Sequence, residues 1–287
     1  MKIVSLLLAA MLFTNTWSFS QRTEEKPKIE NQGVNIDFID SGIGDTTLLF
    51  VHGWCINKTY WTSQVDYFKR KYRIVTMDLA GHGNSGTNRT MWTVEEFGND
   101  VLAVILKLDL KNIILIGHSM SGDIILEAAI NTPERVIGFI GIDNFTDVGK
   151  DLGKQAGINR YFKSLRSDFK KVGGNYVTSL FYNRTGSEDR ARVINDFENT
   201  NPLIAIESLE QNVNYSGKES MRLKGLGKKV YLINSDKNPV NRKGFESNGI
   251  AYEVQIINGT GHYPMIEKPI EFNSLLEMSI GRIASGR

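Results

Sequence analysis

Hydrophobic positions in this chain gather into short, nearly continuous runs separated by stretches of helical spacing. Thr46–Val51, Arg73–Asp78, Ile113–Ile116, Val136–Asp143, Val230–Asn234 and Val254–Asn258 are rich in Val, Ile and Leu with little polar alternation. That is the pattern of parallel strands covered on both faces. Between them, Trp61–Lys71, Thr93–Lys107 and Asp123–Asn131 place apolar residues at helical intervals, and Pro264–Ile283 reads as a closing amphipathic helix. Strand and helix in turn predict an α/β fold around a mostly parallel sheet with right-handed crossovers. The alternation lapses over residues 144–225, which are polar and helical in pattern. A stretch of that length between two strands is too long for a loop. It reads as a helical insertion over the carboxyl edge of the sheet, where open α/β sheets bind ligands. The core would then comprise residues 34–143 and 226–287.

The amino terminus has a different character. Lys2 precedes the apolar run Ile3–Phe13, and Ser18 and Ser20 supply small residues for cleavage before Gln21. The run is shorter than the ~20 residues needed to span a bilayer. Residues 1–20 therefore read as a signal peptide, and the polar residues 21–33 as a linker. The expected protein is exported, periplasmic or secreted, with no membrane attachment after cleavage.

Composition narrows the partners. Of 287 residues, 34 are Lys or Arg and 32 are Asp or Glu, a formal net charge of +2 with no dense basic block. Nucleic-acid binding lacks its electrostatic footprint. The single cysteine, Cys55, excludes an intramolecular disulfide and any multi-cysteine metal site.

The chemistry is concentrated in Gly117-His118-Ser119-Met120-Ser121-Gly122, which follows the run Ile113–Ile116. A serine on a sharp strand–turn–helix is lifted out of the sheet by its strained backbone. Such a turn accepts only small residues two before and two after the nucleophile; Gly117 and Ser121 meet this for Ser119. With Ser121 as nucleophile, Asp123 would occupy the tight position, so that register fails. A serine hydroxyl needs a base. Of His52, His82, His118 and His262, only His262 follows Ser119, in the order serine, acid, histidine. It sits on Gly259–Pro264, just past the last predicted strand. Backbone N–H groups of Met120 and of Trp54, in His52-Gly53-Trp54, are the candidate oxyanion donors. The glycine-rich Asp78–Gly86 fits neither GxGxxG nor GxxxxGK[ST] and reads as a structural turn.

Together, His52-Gly53-Trp54, Asp78–Gly86, Gly117–Gly122 and Gly259–Pro264 resemble, in order and spacing, the landmarks of the α/β-hydrolase superfamily, in its capped, serine-nucleophile branch. The resemblance covers residues 34–283. It implies an eight-stranded sheet, residues 144–225 as a cap, and a serine triad without metal or organic cofactor. It further implies hydrolysis of a small-molecule ester or lactone through an acyl-enzyme. One position departs. Where the family usually places its acid, this chain has Ser235-Asp236-Lys237-Asn238-Pro239, with Asn238 at the usual acid site. Asp143, at the end of the preceding strand, is the favoured replacement and Asp236 the alternative. The departure keeps other readings open: a weakly catalytic or non-catalytic ligand-binding or signalling protein, or a cofactor-free perhydrolase or C–C hydrolase. Phe145, Tyr161, Phe162, Phe181 and Tyr182 are candidate pocket lining from the insertion.

Overall fold

The structure, a computed structural model, describes residues 28–41, 43–150, 153 and 155–286. The expected signal peptide and residues 21–27 lie outside the described residues. A short hairpin, β1 (Ile29–Asn31) with β2 (Val34–Ile36), precedes the main sheet. The sheet contains β3 (Phe38–Ser41), β4 (Thr47–Val51), β5 (Arg73–Met77), β6 (Ile113–His118), β7 (Val136–Ile142), β8 (Val230–Ser235) and β9 (Tyr252–Ile257). Their spatial order is β3-β5-β4-β6-β7-β8-β9. Only β3 runs antiparallel to its neighbour; all other pairs are parallel.

Two expectations change here. The main sheet has seven strands among the described residues, not eight, because β1 pairs with β2 alone and is too short to reach β3 or β5. Residues 29–31, expected within the linker, form that strand because Ile29 packs into the core.

Helices cover both faces. They are α1 (Thr62–Phe68), α2 (Val94–Lys107), α3 (Ser121–Asn131), then α4 (Gln155–Ser167), α5 (Phe169–Leu180), α6 (Ser187–Glu198) and α7 (Pro202–Gly225) between β7 and β8. Further on come α8 (Arg242–Ser247), α9 (Pro264–Glu267) and α10 (Pro269–Ser285). Two glycines show how closely the layers approach. A Cβ on Gly117 of β6 would lie 2.8 Å from Ile125 of α3, and one on Gly138 of β7 would lie 2.7 Å from Ile283 of α10. Gly117 stands in register with Gly141, three residues from Gly138, so α3 and α10 lie on opposite faces. The expected closing helix is two: Lys268 takes φ −143° and ψ 63°, away from helix, because Pro269 follows it.

Local sequence explains the helix starts. Thr93 accepts a hydrogen bond from the Glu96 N–H, and Asn201 accepts from Leu203 and Ile204 N–H with Pro202 opening α7. Polar ties run from α7 to the core. Asn212 Nδ2 donates to Asp123 Oδ2 at 2.7 Å, and Glu127 of α3 takes both Arg222 and the Tyr215 hydroxyl. Among the described residues no helix is long and apolar enough to cross a membrane.

Candidate active site

Ser119 occupies the turn between β6 and α3 with φ +54°, a left-handed value rare for a residue with a side chain. The turn is tight because strand and helix nearly touch: a Cβ on Gly117 would come 2.4 Å from the Ser121 carbonyl oxygen. Ser121, standing where glycine is usual, earns its hydroxyl by donating it to the carbonyl of His52. That bond ties the turn to the loop carrying Gly53 and Trp54. From the other side, Asn144 Nδ2 donates to the carbonyls of Gly117, at 2.9 Å, and Ser119, at 3.3 Å.

The Ser119 hydroxyl meets His262 Nε2 at 2.7 Å, and His262 Nδ1 meets Asp143 Oδ2 at 2.6 Å. An ionised carboxylate only accepts, so the shared hydrogen sits on Nδ1 and the Nε2 lone pair faces the hydroxyl. The other oxygen of Asp143 accepts the Ser235 N–H at 2.7 Å. Burial pushes the Asp143 carboxyl up, but the hydrogen bond and charge of His262, with Ser235, more than offset this and hold it below its ordinary value. Asp143 is reached because φ +46° turns the chain just past β7.

Asp236, the alternative acid, does not join this row. Its carboxylate accepts the Gly259 N–H at 2.9 Å and so braces the loop that carries His262. A two-residue displacement from the usual acid position points it along the loop instead of at the imidazole.

The main chain around His262 is held on every side. Its N–H donates to the Leu180 carbonyl at 3.0 Å, and its carbonyl lies 2.7 Å from His118 Nε2. Glu267 accepts from the N–H groups of Gly261 and Tyr263 and from the Thr185 hydroxyl. His118, which precedes Ser119 in the chain, is no candidate base from the sequence, and adjacent side chains on a turn diverge. The ring does turn away from Ser119, and its centroid lies 4.8 Å from that of the His262 ring, the two planes tilted by 50°. Burial first, then the neighbouring His262 charge, lowers its pKa to about 3, so it is a neutral donor. Glu267 and Leu180 carry no signal that a motif search finds.

Over Ser119 lies a small cavity of about 50 Å³, lined by Trp54, Met120, Tyr176, Leu180, Leu209 and Asn212 with the two histidines and Tyr263. Trp54 and Met120 thus flank the hydroxyl. The indole N–H of Trp54 is occupied, donating to the Ala205 carbonyl at 2.7 Å. The aromatics expected to line the pocket do not: Phe162 is buried beside Tyr161, and Phe181 packs on Tyr263. Tyr176 and Leu180 of α5 and Leu209 of α7 do so instead, because these are the faces the helices turn toward the sheet edge. Among the described residues no group of three or more His, Cys, Asp or Glu is placed to hold a metal ion.

A family model described as alpha/beta hydrolase fold matches residues 46–269. A dihydrolipoyllysine-residue acetyltransferase component of the acetoin cleaving system from Cupriavidus necator is 24% identical over 260 residues, 87% of this chain and 67% of that protein. 3-oxoadipate enol-lactonase 2 from Acinetobacter baylyi is 29% identical over 132 residues, 46% of this chain and about half, 49%, of the relative. The solved structure of Est816, described as an N-acyl homoserine lactone degrading enzyme, superposes with a TM-score of 0.76 at 25% identity. It covers 88% of this chain and 99% of that one.

Proposed function

The chain belongs to the alpha/beta hydrolase fold family, and from that premise we propose that it hydrolyses small carboxylic esters or lactones through an acyl-enzyme on Ser119. The observation that carries this reading is the unbroken row from the Ser119 hydroxyl through His262 to Asp143, opening into a small pocket. Ser119 Oγ bonds to the carbonyl carbon as its proton passes to His262 Nε2. The protonated imidazole, stabilised by the Asp143 carboxylate, then gives that proton to the leaving alkoxide as the C–O bond breaks. In the second half water attacks the acyl carbon as it loses a proton to Nε2; the bond from that carbon to Ser119 Oγ then breaks, Oγ takes the proton back from His262, and the acid is released. Negative charge on the carbonyl oxygen falls to the backbone N–H groups of Trp54 and Met120, the latter opening α3 where the helix dipole favours an anion.

The non-catalytic alternative rests on Asn238 in the usual acid position. The hydrogen bond of Asp143 to His262 favours the catalytic reading over it. The lactonase and lactone-degrading relatives support the substrate class. Lys2 followed by the apolar run Ile3–Phe13 supports export, for which amino-terminal sequencing of the exported protein should begin at Gln21. The reaction is tested with p-nitrophenyl acetate and butyrate on the parent and Ser119→Ala. Turnover that disappears in the variant is the expected result; equal rates in both would refute the reading.

A further inference from the structure

The pocket over Ser119, at about 50 Å³, has room for only a small group. Tyr176 and Leu180 also line a second cavity of about 430 Å³, whose lining includes Lys150, Lys237, Asn238 and Pro239. Lys237, Asn238 and Pro239 belong to the segment after β8 that supplies the acid in the usual family arrangement. Here Asp143 stands against His262, and the segment instead lines this second cavity.

Its charges do not balance. Asp147 is the carboxylate of the lining, and Lys150 holds it at 2.6 Å. Lys237 meets no carboxylate at ion-pair distance among the described residues. Its ammonium donates to the carbonyl of Phe181, at 2.6 Å, and to that of Ser179. Those two bonds fix the ammonium at the end of α5 and leave one of its three N–H donors unassigned. Asp236, its neighbour in sequence, is outside this lining and engaged with Gly259. A half-buried cation, held in place by backbone oxygens, therefore stands on the wall of a cavity that shares Tyr176 and Leu180 with the nucleophile pocket.

We infer that the substrate carries a terminal carboxylate on the portion reaching past Tyr176 and Leu180, and that Lys237 binds it. This rests on the ester-hydrolase reading and narrows it to esters with one small arm at Ser119 and one anionic arm in the outer cavity.

The test compares matched pairs, with the anion on either arm. Monomethyl adipate is set against methyl hexanoate, and 6-acetoxyhexanoate against hexyl acetate, with acid release followed by pH-stat. The readout is the ratio of kcat/KM for the charged ester to that for its neutral partner. The expected ratio exceeds one in at least one pair, and Lys237→Met lowers it by about tenfold, mostly through KM. Lys237→Arg restores it. Loss of the α5 contact alone would lower both esters together and leave the ratio unmoved. A ratio at or below one in both pairs, or a ratio unchanged in Lys237→Met, overturns the inference while ester hydrolysis stands. Absence of any Ser119-dependent turnover removes the hydrolase reading and this inference with it.

Discussion

Replacing Asp143 by asparagine keeps the shape of the side chain and removes one charge. The Ser235 N–H still finds an oxygen to donate to, so the turn after β7 survives. What changes is the imidazole. An amide NH₂ turned toward His262 Nδ1 demands a lone pair there, and the ring hydrogen moves to Nε2. The base then meets Ser119 with a donor where a lone pair is required. The imidazolium formed during attack also loses the anion now 2.6 Å from Nδ1. In a comparable serine triad this change lowers kcat by about 10⁴, which at 1.36 kcal/mol per tenfold is about 5.4 kcal/mol of barrier. The same size is expected here because Asp143 is buried and, among the described residues, no second carboxylate reaches the ring. Asp236→Asn is the paired control: its loop-bracing bond to Gly259 can be kept by the amide oxygen, and kcat should stay within about threefold. The assay is p-nitrophenyl butyrate hydrolysis in single- and multiple-turnover mode, with melting curves to confirm folding. A folded Asp143→Asn protein retaining more than a tenth of parental kcat would refute the reasoning, as would an equal loss in Asp236→Asn.

Two further predictions concern the frame. Lys58 is buried between Asp37 and Asp78, and Asp78 is itself inaccessible to solvent; Lys58→Met strands Asp78 and should cost about 3–5 kcal/mol, read as a melting temperature lower by about 10 °C. A shift under one degree would contradict this. At the α3–α7 contact, burial raises the carboxyls of both Asp123 and Glu219; repulsion from Asp123 and Asp147 adds to it at Glu219, and repulsion from Glu127 and Glu95 adds to it at Asp123 against the hydrogen bonds from Asn212 and Glu219. The native chain therefore holds a proton there that the unfolded chain has lost above pH ~4. Stability must fall as pH rises from there toward the alkaline side. Glu219→Gln should raise the melting temperature at pH 9 relative to the parent and change it little at pH 4; parallel profiles would refute the assignment.

Most of the site's chemistry is legible in the sequence because it rests on backbone geometry that leaves a residue signature. Ser119 needs small neighbours at 117 and 121, and His262 needs to follow it on a glycine-rich loop. The acid leaves a weaker trace. β7 and β8 are adjacent parallel strands, so Asp143 and Asp236 both emerge at the same sheet edge. Which of them reaches the imidazole depends on a single left-handed turn at Asp143 that no spacing encodes. The cap's lining was misread for a related reason. Aromatic residues in α4 and after α5 mark burial, but burial against other cap residues and Tyr263 satisfies them as well as a pocket does. The residues that do line it, Tyr176, Leu180 and Leu209, are distinguished only by the rotation of their helices. Lys237 was overlooked because Ser235–Pro239 invites a search for an acid. The missing eighth strand reflects the brevity of Ile29–Asn31, which pairs within its hairpin and stops there.

A covalent bond from Ser119 to the substrate's acyl carbon, with His262 as the base, is tested by a fluorophosphonate probe, which reacts with an activated serine and halts at the adduct. Peptide mapping of the labelled, mature protein should place one adduct on Ser119. It should vanish in Ser119→Ala and form far more slowly in His262→Ala. An adduct elsewhere, or none on a folded protein, would contradict the claim.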